Sequence, residues 1–423
     1  MKKMKKIKNL LFALVAISIV FASCGKKETI TPTPVTPIPS NAITLKATDY
    51  SGASTLDGAY VVTGCLTVRA NAQLTIKKGA KLIFDQNAGI NVEEKGILTI
   101  EGDASNVVTL TGKEAIAGYW QGISYDGTIS NNNKISYCNI DYAGASSPSC
   151  FSNNDEKGAI VLSDYGSSGL IILDHVNIKE AKENGIYIGP NFDVTMKNCN
   201  ISAKGFPVKV EVNQVGTLND DDSNNTFSSS TASKNYISVV GTQFSERTTK
   251  DIVINKQSVP YLLSQKFSIN TKVTINAGVN MTMEQNALID LDNISSNDNG
   301  NLICNGTSTD PIIFKGLEAI AGYWKGIDVT VSRMTLNQVK ISDCGTTDDT
   351  IYPGNELACI SLSRFYEKVA KVNITNCAFS NYGSNYGIQI NSQDVAGGKN
   401  VKMEYNSNIE SVNTFTGKKV LLY

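Results

Sequence analysis

The chain has 423 residues, with 38 Lys and Arg against 39 Asp and Glu, and its net charge of −1 excludes a global field that would gather nucleic acid or another polyanion. Gly, Asn, Ser, Thr, Val and Ile are abundant, and arginine is confined to Arg69, Arg247, Arg333 and Arg364. That mix favours short strands and tight turns, and no stretch of the body keeps a capped apolar period of 3.6 residues, so the body is expected to be all-β.

The first element is not part of the fold. Lysines open the chain, Leu10 to Ala22 forms an apolar run too short to span a bilayer, and Phe21-Ala-Ser-Cys24 closes it with small residues. This resembles a bacterial lipoprotein signal, although that family prefers Leu where Phe21 stands. The resemblance implies removal of residues 1–23, acylation of Cys24, and a lipid-anchored protein. Gly25 lacks the Asp that marks inner-membrane retention, so the expected location is the outer membrane, with its face left open. Beyond Cys24 no apolar run is long enough to cross a membrane. Residues 24–43 read as a lipidated cysteine followed by a tether. Its Thr31-Pro-Thr-Pro-Val-Thr-Pro-Ile-Pro39 run is expected to be extended, and Lys26 to Ser40 reaches about 45 Å in a polyproline-like form.

The body then repeats a short pattern. Leu74-Thr-Ile76, Leu82-Ile-Phe84, Ile90-Asn-Val92, Leu98-Thr-Ile100 and Val108-Thr-Leu110 start 8, 8, 8 and 10 residues apart, separated by turn residues. Each triplet can point its outer two residues inward, and three of them make a coil of about 24 residues. Cys138-Asn-Ile140, Val176-Asn-Ile178 and Cys199-Asn-Ile201 extend the pattern, the first interval holding a loop around Ala145 to Lys157. They are expected to stack Cys138, Val176 and Cys199 inward and Asn139, Asn177 and Asn200 outward, as a solenoid would. Cys304 aligns with inward Ile100.

A longer repeat overlies the short one. Glu114-Ala-Ile-Ala-Gly-Tyr-Trp-Gln-Gly-Ile123 recurs as Glu318-Ala-Ile-Ala-Gly-Tyr-Trp-Lys-Gly-Ile327, offset by 204. Leu74-Thr-Ile-Lys-Lys-Gly79 matches Val273-Thr-Ile-Asn-Ala-Gly278, offset by 199. The expectation is two tandem units, 44–236 and 237–423, in one continuous solenoid, with Asn213 to Pro260 joining them. With these triplets and the Gly118-Tyr-Trp-Gln-Gly-Ile123 turn, the sequence resembles right-handed parallel β-helix proteins of pectin-lyase-like fold, exported bacterial lipoproteins among them. The handedness comes from that resemblance and from the crossover preference. Three-residue strands with a recurring inward column argue against tandem β-sandwiches.

The resemblance also raises polysaccharide lyase or glycoside hydrolase activity, but the residues give it no signature. His175 is the only histidine and lacks a Gly-His-Gly context; it reads as a strand-edge residue before inward Val176. Arg69, Arg333 and Arg364 fall at strand ends and read as solvated. Asp220-Asp-Asp222 and the stretch from Asp290 to Gly300 read as turns rather than calcium sites. No residue is assigned as catalytic, and no metal or cofactor motif is present. Tyr119, Trp120, Tyr323 and Trp324 are the candidate ligand-binding residues, since exposed aromatics stack on sugars, although packing at the coil edge explains them better. Cys344 and Cys359 bracket a loop and are a possible disulfide, and Thr350 is a possible O-glycosylation site. The resulting expectation is a membrane-anchored module that binds glycan or a surface protein, with an enzyme or a plain spacer as alternatives.

Cys24→Ala is expected to abolish fatty-acid labelling and partition with detergent-extracted membranes. Labelling that persists in the variant overturns the lipoprotein reading.

Overall fold

The computed structural model describes residues 35–145, 150, 156–162, 168–218, 223–241, 247–291, 300–345, 358–365, 368–384, 386–390 and 404–422, with the side chains of 364–369 left aside. Cys24 and Thr350 lie outside the described residues. The body is a right-handed parallel β-helix of stacked coils, and the one antiparallel pair among its named strands is the small hairpin of Arg364–Phe365 with Lys368–Val369.

Each of the first coils lays one strand on each of three faces. Gln73–Lys77 belongs to face A, Lys81–Phe84 to face B and Gly89–Val92 to face C; the next coil repeats the order with Ile97–Glu101, Val108–Gly112 and Ile123–Tyr125. Leu74 registers with Leu98, Leu82 with Leu110 and Ile90 with Ile123, so the apolar triplets stack rung on rung. Their inward side chains are fully buried, whereas outward positions carry Thr, Lys and Asn. Cys138 registers with Val176, and the outer ladder Asn139–Asn177–Asn200 is present, with Asn177 Nδ2 donating to Asn139 Oδ1 at 3.1 Å.

The corner between faces A and B is tighter than three-residue strands imply. Asn133–Asp141 and Gly169–Ala181 run on around it as single strands of 9 and 13 residues. One left-handed residue makes each bend: Tyr137, His175 and Asn198 have φ of 45°, 55° and 54°. His175 is therefore a corner residue, its ring stacked on Tyr137 at 4.1 Å and its Nδ1 2.8 Å from Asp174 Oδ1.

Face C runs through the whole body as 14 strands, from Thr48–Tyr50 to Thr414–Phe415. The two sequence repeats nevertheless meet it differently. Lys81–Phe84 lies on face B, but its counterpart Asn280–Met283 lies on face C, stacked on Tyr261–Leu263. Face B ends at Thr226–Ser229, and a new face D of six strands opens with Lys266–Ser268. The first strand of each aligned coil thus stays on face A, while the second and third move from faces B and C to faces C and D. Side chains satisfy the backbone at this seam. Val212–Thr217 is a 3-10 turn where a face A strand would run, and Gln214 Nε2 donates to Phe192 O at 2.9 Å. Ser258 Oγ accepts the Phe227 N–H at the end of face B, and Thr248 Oγ1 accepts the Asn270 and Thr271 N–H groups at the start of face D.

Two disulfides are present. Cys344–Cys359 brackets its loop, and Cys65–Cys150 joins residues 85 apart in sequence, a pair the sequence reading missed. Cys138, Cys199, Cys304 and Cys377 are free and buried. The end of the tether is not free: Val35 pairs with Glu114, Thr36 N donates to Lys113 O at 2.9 Å, and Lys81 Nζ donates to Pro37 O at 3.1 Å.

Candidate functional site

The twin turns are built from the inside. Each leaves one strand, loops outward, and must re-enter beneath the next coil. Gly122 and Gly326 do this at φ of 101° and 105°, where a Cβ would lie 2.5 Å from Ala159 O or 2.7 Å from Ala358 O. Trp120 and Trp324 are fully buried. The Trp120 ring stacks on Phe84 at 4.0 Å, and its Nε1 donates to Asp141 O at 2.8 Å; Trp324 Nε1 donates likewise to Ser342 O at 2.8 Å. Neither indole offers a face to a sugar. Tyr119 and Tyr323 are half-buried, and burial first, then the nearby Glu114 and Glu318 carboxylates, raise their hydroxyl pKa values. The first turn projects at the corner of faces B and C and the second at the corner of faces C and D, so the four aromatics form no common strip.

An accessible site lies instead on the outer side of face A in the second repeat. Lys272–Asn276, Asn301–Asn305, Arg333–Asn337 and Lys371–Thr375 stack in strict register. Their outward side chains form three parallel ladders: Lys272, Asn301, Arg333 and Lys371; Thr274, Ile303, Thr335 and Asn373; Asn276, Asn305, Asn337 and Thr375. An open groove of about 740 Å³ runs over Asn301, Ile303, Arg333, Thr335, Lys371 and Asn373, closed at one end by Glu404 and Tyr405. Lys371 Nζ lies 3.1 Å from Glu404 Oε1, while Arg333 and Lys272 make no ion pair among the described residues. The other arginine with a described side-chain setting, Arg69, is held between Asp49 and Glu93. Arg333 was visible in sequence only as a strand end. Aligning the pentapeptides Lys-Val-Thr-Ile-Asn, Asn-Leu-Ile-Cys-Asn, Arg-Met-Thr-Leu-Asn and Lys-Val-Asn-Ile-Thr would have found the ladders.

A second cluster sits on the outer side of face C. Glu211 is nine-tenths buried; its Oε1 accepts from Tyr187 Oη at 3.1 Å, and its Oε2 has no hydrogen-bond partner. Lys209 Nζ contacts both Glu156 oxygens, at 2.7 and 2.9 Å, and lies 5.6 Å from the Tyr187 ring centre. Burial pushes the Glu211 carboxyl up from 4.5 to about 7, against the lowering effect of the Tyr187 hydrogen bond, and the Glu156 carboxylate adds to the rise. Such a pair is chemically able to pass a proton near neutral pH, but Tyr187 and Glu211 are only 5% and 6% exposed. No sequence signal marks this cluster, because its members come from three different coils.

The acidic stretches resolve differently from expectation. Asp290 is no solvated turn residue: it is buried on face D and paired with Lys266. Asp220–Asp222 and residues 292–299 lie outside the described residues. Among the described residues no three His, Cys, Asp or Glu side chains gather around a metal-sized space, and no helix is long and apolar enough to cross a membrane. Comparison with family models, curated proteins and solved structures gave no match to this chain.

Trp120→Ala and Trp324→Ala are each expected to cost about 3 kcal/mol or more, seen as an early local melting transition. Unchanged melting in both would overturn the packing role. Glu211 yields a pH dependence. Its carboxyl holds a proton in the folded state that the unfolded chain releases, so this contribution is fully present below about pH 4.5 and is lost as pH rises through about 7. Stability should therefore fall over that window by up to about 3 kcal/mol, and Glu211→Gln should flatten the slope. An unaltered slope in denaturant titrations of the variant refutes the assignment.

Proposed function

We propose that this is an exported, lipid-anchored protein of the bacterial outer membrane that binds an anionic, hydroxyl-rich glycan along the face A groove, without transforming it. The lipoprotein-like signal at Cys24 supports the location, and the likeness of the coil pattern to pectin-lyase-like β-helix proteins supports a carbohydrate role. One observation carries the binding assignment: Arg333 and Lys371 face each other on adjacent strands, and Asn301, Asn373 and Thr335 stand beside them as neutral hydrogen-bonding groups. Rungs of about 4.8 Å match the scale of successive sugar units, guanidinium and ammonium donors suit carboxylate or sulfate, and carboxamides suit hydroxyls. Among the described residues the groove's one aromatic neighbour is Tyr405, which borders its end and registers with inward Val372. Hydrolysis or elimination would call for a free acid or base in the groove, and the one carboxylate among its described residues, Glu404, is tied to Lys371.

The test is a glycan array on the purified mature protein, followed by titration of the best acidic oligosaccharide. Arg333→Ala and Lys371→Ala should each weaken binding about tenfold and reduce its salt dependence, with melting little changed. Equal binding of neutral and acidic glycans, or no effect of either substitution, refutes the groove. Formation of unsaturated sugar products would replace this reading with a lyase, and absence of any glycan binding would leave the spacer.

A further inference from the structure

The docked end of the tether fixes where the membrane attachment leaves the body. Val35 pairs with Glu114 at the base of the first twin turn, and Thr36 Oγ1 donates to Gly112 O at 2.7 Å. The chain then crosses the outer side of face B past Lys81 to the first strand, Ile43–Leu45. Eleven residue steps separate Cys24 from Val35, so this edge can stand no more than about 40 Å from an acylated Cys24. A tether free as far as Ile43 would allow about 68 Å, so docking removes about two-fifths of its reach.

Three large apolar side chains of the docked tether and the turn beside it are exposed: Val35 at 61%, Ile38 at 44% and Ile116 at 43%. Nothing in the core demands them there. Beside them Lys113 is paired with Asp85 at 2.8 Å, and Lys81 donates to Pro37 O. The second twin turn has an equivalent exposed residue, Ile320, but it lies on a different corner and near no tether.

We propose that the edge formed by Val35, Ile38 and the first twin turn rests on the lipid surface, with Ile116 and its two neighbours inserted among the headgroups. The inference rests on the lipoprotein reading of Cys24. Two signals then hold the protein: acyl chains on Cys24, and a shallow apolar contact of the kind that places side chains about 5–10 Å into the headgroup boundary. The face A groove begins seven coils further along the stack, about 34 Å away.

The experiment uses the lipidated full-length protein reconstituted into phosphatidylcholine vesicles with brominated acyl chains. Ile116→Trp and Ile320→Trp are compared, the two native indoles being buried and constant. The added Ile116→Trp emission should be quenched by about half and shifted to the blue, and that of Ile320→Trp should not change. If the protein floats with the vesicles but neither added indole is quenched, the contact is refuted and the anchor stands. If both are quenched alike, the body touches lipid without a preferred edge, which also overturns the proposal. If the protein does not float, anchor and contact fail together. Quenching of Ile116→Trp by a second copy rather than by lipid is recognised by its persistence in unbrominated vesicles and dependence on protein density, and it too refutes the lipid contact.

Discussion

The parallel backbone ladder is the constraint on which everything else in this molecule depends. Each strand finds its hydrogen-bond partners on the coils above and below, so neighbouring coils must keep the same length per face and the same register. Register then dictates chemistry. Whatever stands outward on one rung stands about 4.8 Å from its counterpart on the next, and whatever stands inward must fill the same column. Leu74 over Leu98 and Cys138 under Val176 satisfy the inward half of that rule. The Asn139–Asn177–Asn200 ladder satisfies the outward half by letting carboxamides bond to each other.

Extra length must leave the ladder at corners. The twin turns are excursions of this kind, and their repeated Gly, Tyr and Trp are explained by the need to close the coil again. The indole plugs the corner and returns a hydrogen bond to the strand of the following coil, and the glycine passes under a carbonyl that no Cβ would clear. A motif that recurs nearly unchanged after 204 residues can thus record a shared architectural task rather than a shared ligand. The disulfides show the same economy. Cys344 and Cys359 stand where the first repeat has buried Ala143 and Ala159, and the first repeat holds its corresponding loop through Cys150 to Cys65 instead.

The fold was largely legible in the sequence because its period is short and local. Triplets eight residues apart admit few arrangements, and the observed register Leu74–Leu98 follows from them directly. What the sequence hid is relational. Aligning the two repeats implies that like strands share a face, yet two of the three strands in each coil change face, because the 3-10 turn at Val212–Thr217 and the side-chain bonds of Gln214, Thr248 and Ser258 let one face end and another begin. The Cys65–Cys150 bond was hidden for a related reason, since Cys150 lies in a loop whose path no periodicity predicts. The groove was half visible: its residues were in view, but their alignment required knowing which five-residue segments stack.

The Arg333 rung sets two cations side by side in the groove. Parallel in-register stacking brings outward charges into contact, and like charges on adjacent rungs are unfavourable. Some outward charges are paired with opposite ones, as Lys77 is with Glu101, Arg69 with Asp49 and Glu93, Lys204 with Glu180 and Lys209 with Glu156. Arg333 instead registers directly with Lys371 and has no anionic partner among the described residues, while Glu404 lies on the far side of Lys371. A fold in which register decides every neighbour could neutralise that rung with one acidic residue at Asn301. An uncompensated cation in an open groove is a local concession of stability, and such concessions concentrate where a ligand supplies the missing partner. An anionic chain lying along the stack would supply its negative charge at the rung where the ladder lacks it.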